Sequence, residues 1–255
     1  MKRPYYLTFL LVVVVFTSPE YAQNRNSSKK PVKKPVAAQK SETNTNSAIV
    51  VDERLAILRA EPSLYARAIQ RMRMGRAVRI SGSKQADGVT FYRVTALPNN
   101  SGWIQSEAVV SKFRRGDDAR LAKLVQAADG FEQIEAAMLF LETFIDSPLR
   151  PAILLLLGDL TEEISLKLSA EATRRLHRRE MIASGAPLHS FYLNYVSLDR
   201  YRKLGIHFWF NSATKLFHYD GASWREIITK FPRSAEAGEA QKRLGALKAK
   251  MEAVK

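Results

Sequence analysis

Val89-Thr90-Phe91-Tyr92-Arg93-Val94-Thr95-Ala96-Leu97 is the stretch that decides the fold of the first half of this chain. Its β-branched and aromatic residues suit a pleated, half-buried strand. Asp87-Gly88 in front of it marks a tight turn, and Pro98-Asn99-Asn100-Ser101-Gly102 behind it marks another. Working outward, Arg76-Ala77-Val78-Arg79-Ile80 alternates with period two after Gly75, and Gly82 reads as a further turn. Trp103-Ile104 opens another short strand, and Ala108-Val109-Val110 closes the series. Upstream, Val50, Leu55, Ile57 and Leu58 supply the first apolar positions. Short antiparallel strands over 48–112 predict a small closed barrel, an arrangement that leaves no open edge.

From Gly116 the period becomes helical. Asp117-Asp118 can start a helix with Leu121, Leu124 and Val125 on its apolar face. Phe131 to Ile145 forms a second helix, and Pro151 suits the first turn of a third. Ile153 to Leu157 reads as a helix buried between neighbours. Glu162 to Ser184 gives a further long helix. The aromatic run Leu188 to Phe217 reads as helices broken near Gly205, with a strand at Ile206 to Phe210 as the alternative. Helices at Ser223 to Lys230 and Ala235 to Met251 complete the chain. Phe140-Leu141-Glu142-Thr143-Phe144-Ile145-Asp146-Ser147 is echoed in spacing by Ile227-Ile228-Thr229-Lys230-Phe231-Pro232-Arg233-Ser234. Gly158 and Gly245 stand eleven positions past each serine, with Leu160 and Leu247 two further on. The expected fold class is therefore mainly α with a small β-barrel, the barrel followed by an all-helical, repeat-like domain over 116–255.

Two resemblances follow from these residues. The segment 54–110 resembles a bacterial SH3-type (SH3b) domain. The resemblance is carried by Leu58-Arg59-Ala60-Glu61-Pro62-Ser63, Gly75, Gly88 to Val94, and Gly102-Trp103-Ile104. The segment Lys230-Phe231-Pro232-Arg233-Ser234, followed by alanines, resembles the tetratricopeptide-like repeats of bacterial envelope proteins. The first resemblance implies a non-catalytic targeting module for cell-wall peptide or another protein. The second implies helix pairs that offer a groove to partners.

The N-terminus reads as an export signal over 1–22. Lys2-Arg3 precedes the apolar run Leu7 to Phe16, and Ala22 sits at the expected cut. The run is about half of the roughly 20 residues a membrane-spanning helix needs. Residues 23–47 hold the Lys- and Pro-rich stretch Lys29 to Lys40 and read as a basic flexible linker, able to contact an anionic surface. The chain carries a net charge of +15. Together with the export signal, this favours acidic envelope partners over nucleic acid. The expected location is the periplasm or the extracytoplasmic envelope. There is no cysteine, which excludes disulfides, thiolate metal sites and a cysteine nucleophile.

Catalytic patterns are not legible. His177, His189, His207 and His218 lack metal-pair spacing, and His218-Tyr219-Asp220 sets an imidazole beside a carboxylate without a nucleophile. Glu162-Glu163 reads as solvated helix surface. No catalytic, metal-ligating or cofactor-binding residue is expected. The candidate ligand-binding residues are Phe91, Tyr92 and Trp103 lining a groove, with Arg93 at its rim, because aromatics supply rigid contact area. The aromatics Tyr192, Tyr195, Tyr201, Trp209 and Trp224 are expected to be mostly core. The expectation is a binding or adaptor protein whose partner is cell-wall peptide or an envelope protein. The alternative is a cell-wall hydrolase, whose mark would be two convergent carboxylates, or a histidine paired to an acid, in 117–255.

Overall fold

Alternation and turn chemistry shape the first half as a seven-stranded antiparallel sheet in the computed structural model, which describes residues 46–96 and 99–252. The expected signal (1–22) and nearly all of the expected linker (23–47) lie outside the described residues. The strands are β1 (Ser47–Val50), β2 (Ile57–Arg59), β3 (Ala68–Arg71), β4 (Ala77–Ala86), β5 (Val89–Ala96), β6 (Asn100–Gln105) and β7 (Val109–Val110). Their order is β3-β2-β6-β5-β4-β1-β7. The sheet curls: Leu58 of β2 and Val109 of β7, near opposite ends of that order, share one core with Val50, Met72, Val78, Val94 and Ile104. It does not close, because β3 and β7 are not paired with each other. The expected closed barrel is thus a curled half-barrel. The chain leaves the two-residue β7 directly for the helices, which cover that edge.

The Asp87-Gly88 turn joins β4 to β5 with both residues at positive φ, 51° and 73°, the pairing that two-residue hairpins need. Gly82 was expected in a turn. It lies instead inside β4, where the pairing with β5 slips between Ile80 and Gly82. Such a bulge bends the strand and raises its twist, which contributes to the curl.

The helices are α1 (Asp117–Ala127), α2 (Gly130–Thr143), α3 (Arg150–Arg175), α4 (Arg178–Ser184), α5 (Leu188–Leu193), α6 (Asp199–Arg202), α7 (Ala222–Lys230) and α8 (Ala237–Glu252). Packing runs α1–α2, α2–α3, α3–α7 and α7–α8, each helix against the next of this set. No described helix is long and apolar enough to cross a membrane. Three of these helices begin alike. Before α1, Arg114 N donates to Ser111 O (3.1 Å) and Asp117 N to Arg114 O (3.3 Å). Before α3, Ser147 N donates to Phe144 O (3.3 Å) and Arg150 N to Ser147 O (3.0 Å). Before α8, Ser234 N donates to Phe231 O (3.0 Å) and Ala237 N to Ser234 O (3.2 Å). The second and third turns are the echo seen in the sequence, and the first joins them 33 residues ahead of the second.

The region after α3 is not all-helical. Gly205 does end a helical stretch, but β8 (Phe208–Asn211) and β9 (Leu216–Tyr219) then form an antiparallel hairpin. The strand alternative at Ile206 to Phe210 therefore holds, and the helical reading of the residues up to Phe217 does not. The hairpin packs on α3, where Phe217 N donates to Ser169 Oγ (2.7 Å). Tyr192 stacks on Phe210 with ring centroids 4.4 Å apart, and Tyr201 meets Phe208 edge-on. Tyr192, Tyr195, Tyr201 and Trp224 are buried, while Trp209 is exposed.

Candidate functional site

Register places the expected ligand residues on two different faces of the sheet. Val94 and Ala96 point into the core with Tyr92, so Phe91, Arg93 and Thr95 point outward. Across that outer face, Arg59 of β2 is in register with Trp103 of β6, and Trp103 with Arg93 of β5. The result is a half-buried indole between two arginines. Arg59 is engaged, donating from Nη1 to Ala66 O (2.8 Å). Arg93 is exposed, and its guanidinium has no partner among the described residues. Gly82 stands opposite Arg93, where a Cβ would lie 4.0 Å from Arg93 Cβ.

Phe91 is outward-facing yet 0% exposed, and it belongs to neither core cluster. The loop between β2 and β3 bears on this. It leaves β2 beyond Arg59, on the Trp103 side, whereas Asp87 lies beyond the far end of β5, past Phe91. Even so, Asp87 Oδ2 accepts from Ser63 Oγ (2.7 Å) and Leu64 N (2.8 Å). The loop therefore turns back from the Arg59 end of β2 toward the Asp87 turn, on the side of the sheet where Phe91 lies. These two hydrogen bonds, the Ser63 hydroxyl first, hold the Asp87 carboxyl below its ordinary value. Tyr65 stands on this loop, 91% exposed. Phe91 is thus buried, with no surface open to a ligand.

Tyr92 is drawn to a different task. Its hydroxyl meets Arg114 Nη1 at 2.7 Å, and the Arg114 guanidinium carbon stands 5.6 Å from its ring centroid. Arg114 also donates from Nε to Asp117 (2.8 Å) and from Nη2 to Val109 O (3.0 Å). Buried Asp117 accepts as well from Ser111 N (2.7 Å) and Arg120 Nε (3.3 Å), and Arg120 reaches back to the Glu107 and Val109 carbonyls. This network locks the sheet to α1. Consistently, Val51 and Val110 join the apolar core of the helices. Of the four expected residues, the outer face brings together Trp103 and Arg93. To these the structure adds Arg59, which sequence reading placed in the Leu58-Arg59 motif without assigning it to the groove.

A second surface lies along the helix entries. A cleft of about 860 Å³ opens between the first and second turns, lined by Lys112 to Gly116 and Thr143 to Pro148, with exposed Ile145 at its lip.

The helical region also holds a polar cluster that sequence reading misjudged. Glu162 is not solvated surface. Its carboxylate accepts from His218 Nδ1 (3.0 Å), Tyr219 N (2.8 Å) and Lys250 Nζ (2.8 Å). Burial pushes its pKa up, but the hydrogen bonds from His218, Lys250 and Tyr219 outweigh this and bring it down to about 2. Glu163 does face solvent, paired with Lys167. His218 takes its carboxylate from Glu162 and not from nearby Asp220, which caps Ala222 N and pairs with Arg225. With His218 2% exposed and each Glu162 oxygen occupied, the pair ties the hairpin to α3 and α8. Among the described residues no group of His, Asp and Glu is placed to hold a metal ion. In comparisons with known proteins, no family model, no curated protein and no solved structure matches the chain.

Proposed function

We propose that this chain is a non-catalytic binding protein of the cell envelope. Its curled sheet acts as an SH3-type module that reads a wall peptide or a segment of an envelope protein. Its helices act as a tetratricopeptide-like array that docks a second partner. The observation that carries this reading is the outer-face row Arg59–Trp103–Arg93, with the indole half-uncovered and one guanidinium unpartnered among the described residues. An aromatic platform beside an unpaired arginine suits a planar or carboxylate-bearing group on an extended ligand. The three like-built helix entries, with their 33-residue first spacing, support the repeat reading, since helical repeats of this type recur at about 34 residues. The basic, apolar, polar order of residues 1–22 and the lysine-rich residues that follow support an action outside the cytoplasm.

The hydrolase alternative draws on the Glu162–His218 pair. That imidazole is buried, and its carboxylate is committed to three donors, so the pair favours a structural role. The test is retention of the chain by purified cell wall and by immobilised envelope extract, at low and moderate salt. Retention that survives moderate salt and falls at least tenfold in Trp103→Ala supports the reading. Retention that salt abolishes reflects net charge alone, and equal retention of the Trp103→Ala variant refutes the outer face as the site.

A further inference from the structure

The curled sheet has two edges, and only one is covered. At β7 the chain turns into α1, and Asp117 takes up the Ser111 N–H. At β3, no described strand pairs on the side away from β2. Met72 N donates inward to Ala56 O (2.8 Å). By the alternation of an antiparallel ladder, the N–H and C=O of Arg71 then point away from β2. Every β3 residue except Gln70 is exposed, and Ile69 keeps 40% of its surface.

The charge on β3 and its flanks is basic: Arg67, Arg71 and Arg73 lie there with no acidic residue between them. The nearby Glu53 carboxylate accepts from Met74 N (2.8 Å). Arg71 is partly engaged, donating to the Glu53 and Arg54 carbonyls. Arg67 and Arg73 are exposed, with no side-chain partner among the described residues. Basic residues on an edge repel a second copy of the same edge. They also attract an extended segment of opposite charge.

We propose that β3 is a strand-addition site for an extended acidic peptide segment of a partner protein. The peptide backbone pairs with the outward N–H and C=O of Arg71, and its carboxylates meet the exposed guanidiniums of Arg67 and Arg73. Main-chain pairing gives affinity and the alternate side chains give selectivity. This site is separate from the Trp103 face and does not depend on it.

The test uses the full chain and three blocked six-residue probes: alternating glutamate and valine, the same with lysine for glutamate, and the glutamate probe N-methylated at alternate peptide bonds. Binding is read by fluorescence anisotropy, and protection by amide hydrogen exchange at Ala68–Arg71. The glutamate probe is expected to bind at least tenfold more tightly than either control and to slow exchange at Arg71. Arg67→Glu with Arg73→Glu is expected to cost at least tenfold, with an unchanged melting curve, since both side chains are exposed. Trp103→Ala is expected to leave this affinity unchanged. Equal affinity for the N-methylated probe, binding without protection of β3, or no binding of the glutamate probe overturns the proposal.

Discussion

Replacing Asp117 with alanine removes the acceptor at the centre of the seam between sheet and helices. Three donors lose their partner at once: Ser111 N at 2.7 Å, Arg114 Nε at 2.8 Å and Arg120 Nε at 3.3 Å. The carboxylate is 4% exposed, whereas the two arginine side chains are 33% and 30% exposed. Breaking a buried pair from one side costs about 3–5 kcal/mol, because the remaining charge is left uncompensated. Here both guanidiniums reach water and keep carbonyl partners at Val109 and Glu107, which lowers the expected cost to about 2–4 kcal/mol. For a chain of this size, 1 kcal/mol moves the melting temperature by about 2–4 °C, so a cost near the middle gives a fall of about 6–12 °C. Urea denaturation followed by circular dichroism, with a parallel thermal melt, measures it. Asp117→Asn should cost about half as much, since its amide oxygen can still accept from Ser111 N while both charge pairs are lost. A loss below about 1 kcal/mol in the alanine variant would refute a seam held by this carboxylate.

Four further outcomes follow from the geometry. Gly158→Ala places a methyl group 2.2 Å from Trp224 Nε1 and 2.8 Å from Ser223 Oγ, an overpacking expected to cost about 1–3 kcal/mol in a urea titration. Its echo Gly245 has nothing within 4 Å, so Gly245→Ala is expected to stabilise by about 0.5–1 kcal/mol through helix propensity alone. Phe91→Ala should destabilise by about 3–5 kcal/mol, as for a buried aromatic, whereas half-buried Trp103→Ala should lose less stability and more ligand. Glu162 has a folded pKa of about 2 against an ordinary 4.5, so its stabilising contribution is complete above about pH 5 and fades as pH falls through the folded value. Urea midpoints between pH 6 and pH 3 should therefore decline less steeply in Glu162→Gln than in the parent. An equal decline would show that the carboxylate is not linked to folding.

The strands around Val89 to Leu97 were legible because they carry both a period and turn residues. Alternation separates Phe91, Arg93 and Thr95 from Tyr92, Val94 and Ala96, but does not say which set faces the core. That choice depends on Ile104 and Leu58 arriving from other strands. Which of Phe91, Tyr92 and Trp103 is buried is likewise set by distant segments, and it is Phe91 that is 0% exposed. The Tyr92 hydroxyl is held by Arg114, 22 residues on, a pairing that alternation does not reveal. The β8–β9 hairpin lacked the signal that normally announces one. Its left-handed turn position is taken by Lys215 at φ 58°, with no glycine, and the Asn211 side chain organises the turn through Ala213 N and Thr214 N. Glu162 looked solvated beside Glu163, and only the return of the chain 56 residues later supplies His218.

The segment between α3 and α7 bears on how this chain can change. The chain between α3 and α7 holds α4 to α6 and the hairpin, and α3, 26 residues and about 39 Å long, extends alongside them. The far half of α3 is a shared spine: Ser169 receives Phe217 N, and Thr173 meets Tyr192. The segment and the helix are mutually dependent. Trimming the loops at either end of the segment should be tolerated, but excising it whole would strip α3 of its apolar cover and leave an aggregation-prone face.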